Sequence, residues 1–317
     1  MTENVETFRF SPDMLDPSQR LPGISAFVRT RNGADFLEAS IRSHADFYDE
    51  IVAVYNQCTD STPAILARLK NDLGPKLRVF HYLPKVHPQG SEGHISTPGD
   101  APESVVTYSN FALAKTRYQW AVKLDDDHLA IPGAVAPQID EIRSGRAADN
   151  MIHCFSGLNL IRDESGSLHI PSAAPVSGGG DIGYFRVSKE RFFKHDPRFE
   201  QFQRAGLERR FSGWLYWHLK FLKTGGGFAN YNLETNPGSR YVRKQKRIAG
   251  GAFWSLADTR ANLKPGPMRR LRAAVDPKER LAIDRDRKLV DAFPHGELEE
   301  ALNHTAPEWR RWLEAKT

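Results

Sequence analysis

At 317 residues, with 40% apolar and 26% charged side chains, the chain has ordinary globular composition and enough length for one large or two modest domains. Its 44 Lys and Arg against 39 Asp and Glu leave a net charge of +5, which suits phosphorylated ligands or an anionic surface and requires no nucleic acid. Two cysteines, Cys58 and Cys154, outside any CxxC spacing, argue against a disulfide framework or a zinc site and fit a reducing cytoplasm; the acidic N-terminus does not read as a signal peptide, and no apolar run is long enough for a spanning helix.

Residues 1–20 are polar, carry Pro12 and Pro17, and read as an extended lead-in. Gly23-Ile24-Ser25-Ala26-Phe27-Val28-Arg29 then predicts a buried strand ending in the polar loop Thr30-Arg31-Asn32-Gly33, and Phe36, Leu37 and Ile41 fall at helical spacing after it. The pattern repeats: strand Glu50–Tyr55, loop Asn56-Gln57-Cys58-Thr59-Asp60-Ser61, and a helix from Thr62 with Pro63 in its first turn. Leu77–Tyr82 predicts a third strand. Alternation with short loops predicts a parallel sheet covered by helices. The Gly/Pro/Ser-rich stretch from His87 to Pro102 reads as a mobile loop whose histidines, His87 and His94, are incidental, and Ser104–Tyr118 reads as a helix carrying Asn110.

Trp120-Ala121-Val122-Lys123-Leu124 is then a strand running straight into Asp125-Asp126-Asp127. Charge is excluded from a strand interior, so the three acids belong just past its C-terminal end, where open α/β sheets bind ligands. Carboxylates crowded there suit a hard divalent cation, Mg²⁺ or Mn²⁺; a solvated acidic turn is the alternative. A helix over Ala134–Arg143 follows. Met151–Phe155, Leu158–Arg162, Leu168–Ile170 and Ile182–Val187 then read as strands of a smaller, more antiparallel region, with Ser177-Gly178-Gly179-Gly180-Asp181 as a loop that lets a ligand approach.

Arg204–Lys223, apolar nearly all round through Trp214, Trp217 and Phe221, reads as a helix stopped by Gly225-Gly226-Gly227, with one tryptophan available as a sugar-stacking platform. Arg240, Arg243, Lys244, Lys246 and Arg247 form a basic run, and Met268–Arg272 and Arg280–Leu289 read as basic, partly amphipathic helices. Aromatics are not interleaved with the basic run, which argues against nucleic acid as a partner; an anionic membrane surface fits these helices better.

Three strand-end segments in this order, Val28-Arg29-Thr30-Arg31-Asn32, Asn56-Gln57-Cys58-Thr59-Asp60-Ser61-Thr62 and Asp125-Asp126-Asp127, with the helix carrying Asn110 before the last, resemble the nucleotide-sugar half of GT-A glycosyltransferases, particularly the family 2-like branch. The resemblance implies a Rossmann-like α/β fold with a mostly parallel central sheet and flanking helices. It divides the chain into a GT-A catalytic domain over 21–235 (nucleotide-sugar half 21–135, acceptor half 150–235) and a basic loop and helical C-terminal extension over 236–317. It also implies that Thr30, Arg31, Asn56 and Asp60 contact the nucleotide, that Asp125 contacts the ribose or the metal, and that Asp127 ligates Mn²⁺ or Mg²⁺ on the diphosphate. The chain departs from that family in two places. Asn56-Gln57 replaces two acids, and Gly213-Trp214 stands where an acceptor-side Glu-Asp pair is expected.

Sugar transfer from a nucleotide donor needs stabilisation of the departing diphosphate and a base for the acceptor hydroxyl. The metal on Asp125 and Asp127, with a cation such as Arg240 or Arg243, serves the first need; Glu208, at the start of the expected helix, and after it Asp181, are the candidates for the second. The expected function is metal-dependent transfer to a glycan or lipid-linked acceptor in surface polysaccharide assembly, by a protein in the cytoplasm or at the inner face of the membrane. The alternatives are a nucleotidylyltransferase, which the single glycine after the first strand opposes, and a non-catalytic carbohydrate- or membrane-binding protein of the same fold, which the missing Glu-Asp pair favours.

Overall fold

The computed structural model describes residues 2–180, 183–231, 233–234, 237–294 and 296–314. Strand β1 (Glu3–Val5) precedes β2 (Leu21–Thr30), α1 (Leu37–His44), β3 (Glu50–Tyr55), α2 (Thr62–Leu73), β4 (Leu77–Tyr82), the short α3 (Glu92–Ser96), α4 (Val105–Ala114) and β5 (Tyr118–Leu124). Next come β6 (His128–Ala130), α5 (Pro132–Arg143), β7 (Met151–Asn159), β8 (Ile161–Arg162), β9 (Leu168–Pro171), β10 (Val176–Ser177), β11 (Gly183–Arg186), β12 (Phe193–Asp196), β13 (Phe199–Phe202) and β14 (Glu208–His218). The chain continues through α6 (Arg240–Ala249), β15 (Phe253–Trp254), α7 (Leu256–Leu263), α8 (Pro267–Ala273), α9 (Pro277–Arg287), α10 (Leu289–Ala292), α11 (Leu298–Thr305) and α12 (Trp309–Leu313). Among the described residues no helix is long and apolar enough to cross a membrane.

Two compact units divide the chain. The first, Met1–Asp127 with Tyr184–Leu207 and Thr224–Gln245, is built on a mostly parallel sheet in the order β1-β4-β3-β2-β5-β11, in which only β11 runs antiparallel. Its strands are continuous apolar runs because helices cover the sheet: all six residues of β3 are buried, as are Ala26, Phe27 and Val28 of β2. Glu50, fully buried in β3, is tolerated because Ser25 Oγ (2.8 Å), the Arg117 backbone N–H (2.6 Å) and Arg117 Nε (2.9 Å) all donate to it. Helix α4 is capped by Ser104, whose hydroxyl accepts from the Val106 N–H at 3.2 Å, and its Asn110 clamps β12 by donating to Phe193 O (2.9 Å) and accepting from Phe193 N (2.8 Å). The lead-in is not loose chain: β1 pairs with β4, and Leu15 is fully buried. Nor is the stretch around His94 an irregular loop. It winds into α3, capped by Ser91, and His94 is buried with its Nε2 on Asp196 O at 2.9 Å.

The second unit comprises His128–Gly183, Glu208–Lys223 and Lys246–Thr317. Here β14 lies between β7, to which it runs parallel, and β6, to which it runs antiparallel. The helix expected over Arg204–Lys223 is therefore corrected to an eleven-residue strand. Trp214, Leu215, Tyr216 and Trp217 are all buried, and a strand covered on both faces shows no alternation to set it apart from a buried helix. Register shifts against β7 between Phe211 and Gly213 and between Trp214 and Tyr216 break the two-residue period further. Trp214 Nε1 donates to Arg285 O (3.0 Å) and Trp217 Nε1 to Thr305 Oγ1 (2.9 Å), so the C-terminal helices pack on this strand through both tryptophans, neither of which is a sugar platform.

Candidate functional site

In the first unit, successive strands step from β2 to β3 to β4 on one side, and the chain then returns to place β5 on the other side of β2. The order therefore reverses between β2 and β5. At such a switch point the crevice beyond the strand C-termini is open to a ligand, because the connecting helices depart in opposite senses. The residues at that point are Thr30, which ends β2, and Asp125-Asp126-Asp127, which follow β5.

The acids are not a solvated turn. Asp126 is 9% and Asp127 5% exposed, while Asp125 is half-buried. Asp126 and Asp125 are held differently. Thr30 Oγ1 donates to Asp126 Oδ2; Lys123 Nζ lies 2.5 Å from Asp125 Oδ1; and the Asp125 carbonyl accepts from Ser40 Oγ at 2.8 Å. Burial opposes the Lys123 ammonium, but Asp125 beside it, with help from Glu200, offsets that cost and its pKa is raised, so Asp125 faces a permanent cation. Carboxylate oxygens are the ligands that suit a hard cation such as Mg²⁺ or Mn²⁺.

Loops after β2 and β3 are stitched to one another. Asp60 accepts from Ala34 N (3.0 Å) and from Thr62 N (3.0 Å), Gly33 N donates to Thr62 Oγ1 (2.8 Å), and Thr59 N donates to Asn32 Oδ1 (2.8 Å). Asn32 adopts φ 51°, a conformation asparagine tolerates better than most residues. Gly33 is required for space, since a Cβ there would overlap both Asp126 Oδ2 and Thr30 Oγ1. Gly33→Ala is accordingly expected to force that pair apart and to lower stability by about 1–3 kcal/mol, read from urea unfolding, with any ligand affinity at this crevice falling as well. An alanine variant as stable as the parent would show that the loop yields without cost.

The structure brings Thr30, Arg31, Asn56, Asp60, Asp125 and Asp127 to one end of one sheet, but with different duties. Asn56 is 1% exposed, and its amide donates to Tyr82 O and Pro84 O, both at 2.7 Å; it holds the chain after β4 rather than presenting its amide to a ligand. Asp60 fastens the two loops, and the Arg31 carbonyl accepts from Asn230 Nδ2. Arg240 and Arg243 lie exposed at the start of α6, with the Arg240 guanidinium over the rings of Phe199 (5.1 Å) and Tyr241 (4.8 Å). Glu208 belongs to the second unit and is exposed at the first residue of β14, so the helix start that singled it out does not exist. Asp181 lies outside the described residues.

Sequence reasoning did not bring two groups together. The first is a buried ion pair beneath the acids: Arg29 on β2 and Glu200 on β13 meet at 2.5 Å with side chains 9% and 7% exposed, Ser109 accepts from the same guanidinium at 2.5 Å, and Gln89 Nε2 donates to Glu200. Burial opposes the Arg29 charge, yet Glu200, with smaller support from Tyr108 and Asp125, offsets it and the guanidinium pKa is raised. The second group lies in the second unit, one residue past Asp127. His128 on β6 stacks on Tyr216 at 3.7 Å and faces His218, its register partner on β14, at 5.4 Å. The His218 Nδ1 is hydrogen-bonded to Asn159 Oδ1, which accepts and so leaves Nε2 carrying the lone pair. Such an imidazole is suited to ligate a cation or to take a proton. Its only signal in the sequence was a histidine directly after the aspartates.

No protein-family model matches the chain, and no curated protein matches it. Solved structures do. Glucosyl-3-phosphoglycerate synthase from Mycobacterium tuberculosis in complex with Mg²⁺ and UDP aligns at 16% identity over 51% of this chain and 51% of its own, with a TM-score of 0.29. The same enzyme in complex with Mn²⁺, UDP-glucose and phosphoglyceric acid aligns at 16% identity over 52% and 53%, also with a TM-score of 0.29. The chain thus spans about half the length of these neighbours, and at such scores the likeness by itself assigns them no shared ligand or reaction.

Proposed function

We propose that the chain is a divalent-cation-dependent glycosyltransferase that binds a nucleotide-sugar donor at the switch point between β2 and β5. The observation that carries this reading is the Asp125-Asp126-Asp127 cluster at that point, with Asp126 and Asp127 buried and Asp126 joined to the end of β2 through Thr30. Asp127, with Asp125, would hold Mn²⁺ or Mg²⁺. When bound, the cation supplies charge stabilisation for a departing diphosphate. The chain's own residues set the geometry: Thr30 fixes Asp126, Lys123 fixes Asp125, and Asp60 and Asn32 shape the loops that would enclose the nucleoside. Arg240 and Arg243 are the proposed cations over the phosphates. For the acceptor-side base, Asp181 is proposed ahead of Glu208, because Glu208 stands at the N-terminal end of β14 whereas ligands of such sheets gather at strand C-termini. The proposed acceptor is a glycan or lipid-linked sugar of surface polysaccharide assembly.

A thermal-shift panel tests the donor half. A nucleotide at about 100 times its Kd stabilises the native state by roughly 2.7 kcal/mol. UDP, GDP and their sugars, each with and without Mn²⁺, are expected to include at least one that raises Tm only when the cation is present. Unchanged Tm across the panel, with Mn²⁺ alone also silent, would remove the basis for this reading.

A further inference from the structure

We infer that α8 and the turn after it form a contact surface for anionic phospholipid, in which an apolar stripe enters the bilayer interface between arginines. The surface lies wholly in the second unit and is independent of the transferase reading. Among the described residues the three most exposed large apolar side chains are Met268 (68%), Leu271 (72%) and Val275 (85%), whereas the others lie between 45% and 54%. Met268 and Leu271 fall at i and i+3 on α8, and Val275, at i+7 in the turn that follows, continues the same side about two turns on. One such residue would be unremarkable surface; the three most exposed on one stripe are not scatter.

The opposite side of α8 explains why the stripe faces outward. Arg269 Nε binds Glu279 Oε1 at 2.5 Å and its Nη2 binds Asp286 Oδ2 at 2.9 Å, and Arg280 Nε donates to Ala273 O at 3.2 Å. Arg269 and Ala273, one turn apart, thus fasten α8 to α9 and leave Met268 and Leu271 on the far side.

Charge selects the partner. Residues 264–288 hold nine Lys and Arg against four acids, a surplus of five that equals the net charge of the whole chain. Of the four acids, Asp286 is buried and Glu279 half-buried against Arg269, leaving Asp276 and Asp284 exposed. Lys264, Arg270, Arg272 and Lys278 are exposed around the stripe. Apolar side chains ringed by arginine and lysine match the interface of an anionic leaflet, where apolar insertion and headgroup attraction are each weak and act together.

The test is co-sedimentation of the full chain with vesicles of phosphatidylglycerol and phosphatidylcholine in about equal parts, and with phosphatidylcholine alone. The parent is expected to pellet with the anionic vesicles only, less so as NaCl rises. Arg270→Gln with Arg272→Gln is expected to lower partitioning roughly 30-fold, from about 1 kcal/mol per basic residue near such a surface. Met268→Gln with Leu271→Gln is expected to lower it at least about tenfold. All four positions are exposed, so both variants are expected to fold, which circular dichroism and Tm are to check. Parent protein left in the supernatant, or either double variant binding like the parent, overturns the inference. So does a dimer in sedimentation velocity that Met268→Gln with Leu271→Gln dissolves, since a second copy would then be the occupant. Asp127→Ala should bind vesicles as the parent does, so failure of the lipid surface and failure of the donor-site reading are told apart.

Discussion

Asp127→Ala is expected to abolish the proposed cation-dependent sugar transfer, by about 10³-fold or more in kcat, because it removes the proposed ligand of a cation that would supply several kcal/mol of transition-state stabilisation. The neighbouring acid provides the control. Asp126 accepts a hydrogen bond from Thr30, a role that an asparagine carbonyl also fills, so Asp126→Asn should retain the fold and most of the rate. Asp127→Asn should not, since an amide oxygen is a neutral and weaker ligand for a hard cation. The measurement is nucleotide release from a donor that the thermal-shift panel has identified, with Mn²⁺ restored after EDTA treatment. Equal rates for Asp127→Asn and Asp126→Asn, or full turnover with EDTA present, would show that these acids shape the crevice and do no chemistry.

That contrast shows where sequence reasoning stops. Strands β3 and β4 could be bounded to the residue because each is a short apolar run closed by loop residues, and a buried parallel strand has that form and few others. Equally apolar, β14 was mistaken for a helix because bulges and two covered faces erase its period. Within the candidate site, residue type and position after a strand end placed Asp125–Asp127 at the edge of the sheet, and the resemblance put forward Thr30, Asn56 and Asp60 as nucleotide contacts. Neither was enough to separate a ligand-facing group from a fastener: Asn56, chosen as a nucleotide contact, has both amide protons on backbone carbonyls. Partners remote in sequence were the least legible. Arg29 and Glu200 are 171 residues apart, and neither segment carries a sign of the other.

Glu200→Ala is expected to be among the most destabilising single changes in the first unit, at about 3–5 kcal/mol, because it leaves the Arg29 guanidinium buried with no carboxylate opposite. Arg29 depends on this acid more than its one ion pair suggests, since its Nε is buried without a hydrogen-bond partner and Ser109 is a neutral acceptor. Lys123 also draws support from Glu200, so its loss would leave two cations on this face of the sheet with only Asp125 to offset them. The effect therefore reaches the candidate site: Asp125 would be drawn further into neutralising Lys123 and Arg29, and metal affinity should fall together with stability. Replacing both partners, Arg29→Met with Glu200→Leu, removes the stranded charge and should recover much of the lost stability without restoring cation binding. Urea unfolding and Mn²⁺-dependent thermal shifts on the single and double variants separate the two effects. A Glu200→Ala protein as stable as the parent would mean that water reaches Arg29 and that the pair is no support for the acids above it.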